Sequence, residues 1–194
     1  MNVLIDLIGS SFIGGILLLL ILKLNLYSQN TSISSDSELR IQQNAKTLAE
    51  IINYDLRKVG YNYKNTAIVT ADSNKIKFYA DMNEPGTSGY GTIDVVEYFL
   101  SSPSKALSTT NPKDVVLTRV LNGTDTLSGP SLGLVKLVFS YYDKKLTNTT
   151  NLDSIKFIKT EFWVESLEPI EVNFGTQTGY PFTYWEMTIN PRNI

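Results

Sequence analysis

The hydrophobic pattern of the chain begins with one long apolar run. Leu7 to Leu22 is sixteen residues without a charge, and eleven of them are Leu, Ile or Phe. Extended across Asp6 and Lys23, the run reaches about 24 residues, which is enough for a helix that crosses a hydrocarbon core of about 30 Å. The pattern therefore predicts a transmembrane helix over residues 1–27, with Tyr27 at the membrane interface.

The flanks of this run decide between a retained anchor and a cleavable signal peptide. A signal peptide has a basic region before its apolar run and small residues at a cleavage site after it. Here no Lys or Arg precedes the run, and Lys-Leu-Asn-Leu-Tyr follows it. These flanks favour a retained anchor.

A polar, serine-rich segment, residues 28–37, comes next and is interpreted as a hinge or a solvated helical turn. Ser35 to Glu38 fits the S-x-x-E capping box, which predicts a helix start near Asp36. From there to Gly60, apolar residues recur every three or four positions, the period of one helix face. The stripe predicted to pack on a sheet consists of Ala45, Leu48, Ile52, Leu56 and Val59.

Beyond Gly60 the pattern alternates with a period of two, which is typical of strands. A run of strands after one long helix predicts an α+β domain over residues 38–194, with the helix packed on a mainly antiparallel sheet. This domain is expected to be extracytoplasmic. The predicted strands are Ala67–Thr70, Lys75–Tyr79, Thr92–Leu100, Val115–Val120, Leu134–Tyr142, Ile155–Glu165 and Phe182–Ile189.

Two features of the apolar run indicate helix–helix assembly. Ser10 and Gly14, like Ser11 and Gly15, form a small-x-x-x-small pair, which allows two helix backbones to approach closely. Asp6 is an acid at or near membrane depth, where it is costly unless it is paired. Both features also have plain interpretations, since glycine is common in membrane helices and an acid suits a helix N-terminus.

The composition excludes several classes of function. The chain has no cysteine and no histidine, so it has no disulfide, no thiol nucleophile, no Ser-His pair and no imidazole ligand for a metal. The net charge of −2 disfavours nucleic acid as a partner. We assign no catalytic residue, metal, cofactor or small-molecule substrate, and an enzyme that uses carboxylates alone stays a minor alternative. The acids Asp72, Asp81, Glu84 and Asp94 are interpreted as solvated turn residues or, less readily, as a cation site.

Four segments resemble type IV pilin-like proteins, in particular minor pilins and the J-type minor pseudopilins of type II secretion. Leu4-Ile5-Asp6-Leu7 is similar to the family's L-I-E-L anchor. The stretch from Ile52 to Tyr61 resembles its D-L/I-R-x-A-G-Y signature at a helix end, and Leu134 to Asp143 resembles its L-x-F-x-Y-x-D strand. Pro191-Arg192-Asn193-Ile194 is similar to its P-R-N-L terminus.

The resemblance implies a non-enzymatic subunit in a bacterial inner membrane, with its C-terminal domain periplasmic or extracellular. Such subunits assemble with other pilin-like subunits through their N-terminal helices, into a type IV pilus, a type II secretion-type filament or its initiation complex. Asp6 lies where the family usually has Glu, an acid that meets the N-terminal amine of a neighbouring subunit. The resemblance therefore implies an assembly role for Asp6, together with the small residues of the anchor.

Two departures from the family pattern leave a second function open. The polar segment of residues 28–37 interrupts a helix that is continuous in the family. The family's peptidase cuts directly after a Gly, and the new N-terminal residue then lies two positions before the Leu of the anchor. Here that Leu is Leu4, so the new N-terminus would be Asn2, and the residue before it is Met1 and not Gly. A leader was removed earlier, or Met1 is the mature first residue, or the chain is unprocessed. The last case predicts a single-pass membrane protein whose β-rich periplasmic domain binds another envelope component.

Overall fold

A single helix, α1, runs without a break from Val3 to Arg57 in a computed structural model that describes residues 3–103, 106, 109–128, 131–171 and 178–194. At 1.5 Å per residue, its 55 residues extend about 80 Å. The predicted helix start near Asp36 is wrong, and the predicted interruption at residues 28–37 is a stretch of ordinary helical turns. The segment is therefore solvated helix, one of its two interpretations, and not a hinge that breaks the helix.

The polar segment stays helical because nothing in it disrupts a helix. It contains no Pro and no Gly, and its side chains form hydrogen bonds along the helix. The Thr31 hydroxyl donates to the Tyr27 carbonyl at 2.9 Å, and the Gln29 amide donates to the Asn25 side chain at 2.7 Å. A threonine that donates to the carbonyl four residues earlier is compatible with a continuing helix.

Within the described residues, two larger antiparallel sheets and one two-stranded sheet follow α1, so the predicted α+β class with a mainly antiparallel arrangement is confirmed. The first five strands are β1 (Ile68–Ala71), β2 (Lys75–Ala80), β3 (Asp94–Leu100), β4 (Leu117–Leu121) and β5 (Asp125–Ser128). The remaining strands are β6 (Leu134–Tyr142), β7 (Phe157–Glu165), β8 (Ile170–Glu171), β9 (Thr178–Gly179) and β10 (Phe182–Ile189). The first sheet has the order β1-β2-β3-β4-β5, the second has the order β10-β7-β6, and β8 and β9 form the small third sheet.

Each of the seven predicted strands overlaps an observed one, and β5, β8 and β9 were not predicted. β8 and β9 have two residues each and pair only with one another, so they are too short to show an alternating pattern. β5 reads Asp-Thr-Leu-Ser, which contains a single strongly apolar residue. Its position is set by antiparallel pairing with β4 across the Asn122-Gly123 turn.

One hydrophobic core joins the second half of α1 to both sheets. The sheets meet where the Phe139 amide donates to the Ser73 carbonyl at 2.7 Å and the Tyr141 hydroxyl donates to the Asp72 carbonyl at 2.9 Å. The five stripe residues named above, Ala45, Leu48, Ile52, Leu56 and Val59, are all buried. α1 lies mainly against β10 and β7.

The end of α1 is fixed by the C-terminal tail. Gly60 has a φ of +77°, and a Cβ at this position would lie 2.7 Å from the Asn193 carbonyl oxygen. The Gly60 amide also donates to the Tyr79 carbonyl at 2.9 Å. Both the backbone conformation and the close approach require glycine here. Two of the four family-like segments, the helix end and the C-terminal tail, therefore contact each other.

Candidate assembly surface

The first half of α1 is exposed along its whole circumference. Every residue from 3 to 33 is exposed, and the large apolar side chains among them keep 44 to 80% of their surface accessible. By length and composition alone, this helix is able to cross a membrane, and no residue of its most apolar window is buried within the described part of the chain. We call residues 3–33 the exposed half and residues 41–57 the packed half.

Asp6, Ser10 and Gly14 lie on one row of the exposed half. They are spaced by four residues, and side chains at that spacing neighbour each other on a helix. The Ser10 hydroxyl donates to the Leu7 carbonyl at 3.0 Å, so its one hydrogen-bond donor is used within α1. Ser11 and Gly15 form the adjacent row. Among the described residues, a Cβ added at Gly14 or Gly15 would meet nothing within 4 Å, so contacts with them do not explain why these two positions are glycine.

The two sets of residues predicted from the sequence do not form one site. Gly14 and Ala45 are 31 positions apart on one helix, which corresponds to about 45 Å. The first set is exposed and the second lies in the core. α1 therefore carries a free apolar surface at one end and a packing surface at the other.

A buried ion pair fixes the packed half to the first sheet. The Arg119 Nε on β4 lies 2.5 Å from Asp55 Oδ2 on α1, and the Tyr98 hydroxyl on β3 donates to the same oxygen at 2.6 Å. Asp55 is 4% exposed. Burial and then the Asp55 charge raise the pKa of Tyr98. For Arg119, burial opposes the charged form, but the hydrogen bond and charge of Asp55 raise its pKa.

Sequence reasoning did not find this ion pair, although one signal was present. Asp55 lies among the apolar stripe residues Ile52, Leu56 and Val59, and an acid on a buried helix face needs a partner. The partner, Arg119, is 64 positions away, so only the tertiary fold identifies it. The Asp55 of the family-like helix-end signature is thus a residue that attaches the helix to a sheet.

A second buried acid holds the loop between β2 and β3. Asp81 accepts hydrogen bonds from the Gly91 amide at 2.7 Å, the Asn62 side chain at 2.8 Å and the Asn83 amide at 3.1 Å. Burial alone would raise the pKa of Asp81, but these hydrogen bonds and the charge of Lys58 lower it below its usual value. The loop of residues 82–93 is thereby tied to the end of α1.

The interpretation of the loop acids as solvated turn residues is wrong for two of them. Asp81 is 0% exposed and Asp94 is 6% exposed. Asp94 accepts from the Asn122 side chain at 2.8 Å and the Met82 amide at 3.2 Å. These carboxylates bond to the protein itself, and within the described residues no group of three or more Asp, Glu, His or Cys side chains is arranged to hold a metal ion.

The long, half-exposed helix packed on antiparallel sheets is a pilin-like fold. Among solved structures, a type IV-like pilin from Thermus thermophilus superposes on it with a TM-score of 0.52, at 8% sequence identity. The match covers 79% of this chain and 97% of that pilin, and at this identity the likeness is one of fold. Scans of protein-family models and of curated protein sequences found no match.

Proposed function

We propose that this chain is a non-enzymatic, membrane-anchored pilin-like subunit, of the minor pilin or pseudopilin type. In this proposal residues 1–27 lie in the lipid of a bacterial inner membrane, and residues 28–37 lead out of the bilayer. The domain of residues 38–194 faces the periplasm or the outside. Other pilin-like subunits are the partners, and they bind through the exposed half of α1.

The observation that supports this proposal best is the complete exposure of an apolar helix half that is continuous with a packed domain. An apolar surface of this extent needs lipid or protein around it. The row of Asp6, Ser10 and Gly14 adds a side to this surface on which a second helix packs closely. There Asp6, costly in lipid alone, has a cationic group of a neighbour as its partner.

An Asp6→Ala substitution in the full-length protein tests the proposal. Two differently tagged copies are expressed together, and assembly is measured as the recovery of one tag with the other from solubilised membranes. We expect Asp6→Ala to abolish co-recovery while the protein still resists extraction from membranes. Glu50→Ala, at an exposed acid in the packed half, is the matched control and leaves assembly unchanged. Normal assembly of Asp6→Ala contradicts the proposal.

The ordered loop of residues 82–93 favours a second candidate, a static anchor that displays its domain to another envelope component. Asp81 holds this loop at a defined position while Tyr90 on it stays exposed. In that case Asp6→Ala is silent, and Tyr90→Ser lowers the amount of a co-purified partner. If no change in this loop affects a co-purified protein, the second candidate is excluded.

A further inference from the structure

A basic turn and an acidic groove lie at opposite ends of the second sheet. The turn, residues 143–147, connects β6 to the segment before β7, and we call it the lysine turn. The groove is lined by residues between Asn30 and Asn44 of α1 and by residues 165–170, has a volume of ≈ 760 Å³, and is called the α1 groove below. Each has a feature that contacts within its own chain do not explain.

The lysine turn exposes the side chain of Leu146, whose backbone has a left-handed conformation that is unusual for leucine. Leu146 has a φ of +60° and is 65% exposed. Glycine or asparagine takes this left-handed conformation more readily than leucine does. Asp143 fixes the turn, since its Oδ1 accepts from the amides of Lys145 at 2.8 Å and Thr147 at 2.9 Å. These hydrogen bonds fix the turn in the conformation that exposes the Leu146 side chain.

The charges of the turn and the groove are complementary. Lys144 and Lys145 directly precede Leu146 and are exposed. The groove lining carries the acids Asp36, Glu165 and Glu168 against one cation, Arg40, and Glu165 is already paired with Lys113 at 2.9 Å. Within the described residues, neither Asp36 nor Glu168 forms an ion pair, so these two carboxylates exceed the charge of Arg40 and leave the groove with a net negative charge.

The apolar parts also match. Ile33, Leu167 and Ile170 line the groove, and Ile33 and Leu167 are exposed. The groove has room for a whole turn and not only for one side chain, so Leu146 can bury its side chain there while the lysines reach the rim. Apolar contact at the centre with charge pairs at the rim is the usual arrangement of a protein interface.

The turn cannot reach the groove of its own chain. Tyr142 pairs with Phe157 at the turn end of β6 and β7, and Leu134 pairs with Val164 at the groove end. Eight residues separate Tyr142 from Leu134, which is about 27 Å along the strand. The groove end is the one nearest the exposed half of α1, and the turn end is nearest the end of α1, where Ile189 pairs with Ile158.

Building on the proposed function, we infer that the lysine turn of one copy docks in the α1 groove of a second copy of this chain. The two surfaces differ, so the contact is head-to-tail and extends to further copies when the rotation between them does not close a ring. Leu146 packs on Leu167, Ile33 and Ile170. Lys144 and Lys145 pair with Asp36 and Glu168. The second copy is displaced along the helix axis by about the length of one domain.

A cysteine pair tests this docking directly, because the chain has no cysteine of its own. Leu146→Cys with Leu167→Cys is placed in the full-length protein and oxidised in whole cells before any extraction, so that copies already displaced out of the bilayer are included. We expect a ladder of dimers, trimers and larger species on a non-reducing gel, since each copy has one turn and one groove. Either single variant gives dimers at most. A double variant that stays monomeric, or stops at dimers, overturns the docking and leaves the groove to another occupant.

Charge reversal within the double-cysteine variant tests the lysine–carboxylate pairing separately. Adding Lys144→Glu and Lys145→Glu lowers the ladder yield roughly threefold to tenfold, as expected for two exposed ion pairs. Asp36→Lys and Glu168→Lys in the same chain restore it, whereas Lys64→Glu, at an exposed lysine outside the turn, has no effect. An unchanged yield after reversal, or no restoration, counts against the lysine–carboxylate pairing.

The co-recovery measurement separates failure of the docking from failure of the proposed function. Copies that co-recover through Asp6 without a ladder leave the proposed function intact and exclude the docking. A ladder that persists in Asp6→Ala, with co-recovery also unchanged, supports the docking and contradicts the assembly role of Asp6. If neither signal is present, both are wrong.

Discussion

The two halves of α1 have the same backbone and opposite surroundings. In the packed half, apolar residues form a stripe that lies in the core, while Lys46, Glu50 and Arg57 face water. In the exposed half, apolar residues occur on all sides and none is buried. A stripe is buried by packing on one sheet, whereas an apolar surface all round requires surroundings that the described part of this chain does not supply. A helix that is continuous in its backbone therefore does not have a continuous environment.

Truncating one leucine in each half gives the largest expected contrast. Leu56→Ala leaves a cavity in the core and should lower the free energy of unfolding by about 3–5 kcal/mol. Leu18→Ala, in the exposed half, should leave that energy within about 0.5 kcal/mol. Denaturant unfolding of the full-length protein in detergent micelles, followed by fluorescence of Trp163 and Trp185, measures both. Equal losses would mean that the domain also depends on the exposed half.

Removing the buried carboxylate of Asp55 is the next largest effect. Asp55→Ala leaves Arg119 charged and without its partner, and should cost about 3 kcal/mol of unfolding free energy. Adding Arg119→Met should recover much of that loss, because an apolar pair replaces a buried charge pair at little cost. The same unfolding measurement tests this, with Glu50→Ala as the exposed acid of comparison. A double variant as unstable as Asp55→Ala would show that the ion pair is not the cause.

Gly60, just after the end of α1, is where the packed half meets the C-terminal tail. Gly60→Ala introduces a Cβ against the Asn193 carbonyl in a left-handed conformation, and should cost about 1–3 kcal/mol. Gly86→Ala has the same backbone strain with open space around it, so its cost should be about 1 kcal/mol. The difference in denaturation midpoint between the two variants reports the contact with the C-terminal tail. Equal midpoints would assign the whole effect to the backbone conformation.

The smallest effect expected is the dependence of stability on pH through Asp81. Its pKa is lower in the folded protein than in the unfolded chain, so its contribution is complete above the unfolded value of about 3.9. The contribution is lost as the pH falls through the folded pKa. The difference in denaturation midpoint between wild type and Asp81→Asn should shrink as the pH is lowered from 7 to 3. A constant difference across this range would exclude Asp81 as the titrating group.

Features of the fold could be predicted where they depend on neighbouring residues in the sequence, and not where they depend on residues far apart. Local periodicity identified the seven longer strands and the α+β class, because alternation repeats within each segment. The same local patterns wrongly predicted a helix start near Asp36. A capping box and a serine cluster do not show whether the helix on either side continues through them, and here it does. The Asp55–Arg119 pair and the burial of Asp81 depend on contacts far apart in the sequence, so no local pattern contains them. The assembly role of Asp6, Ser10, Ser11, Gly14 and Gly15 stays a prediction.

The unbroken passage of α1 through residues 28–37 fixes an angle as well as a distance. Because each residue of a helix turns the next by about 100°, the direction in which the Asp6 row points is set by the direction in which the domain faces. One residue inserted between Ser28 and Ser37 would turn the row by about 100° relative to the lysine turn, whereas seven would return it to within about 20°. The number of residues in the polar segment therefore sets the rotation of the Asp6 row relative to the lysine turn, and it determines whether the two surfaces can contact neighbouring subunits at the same time.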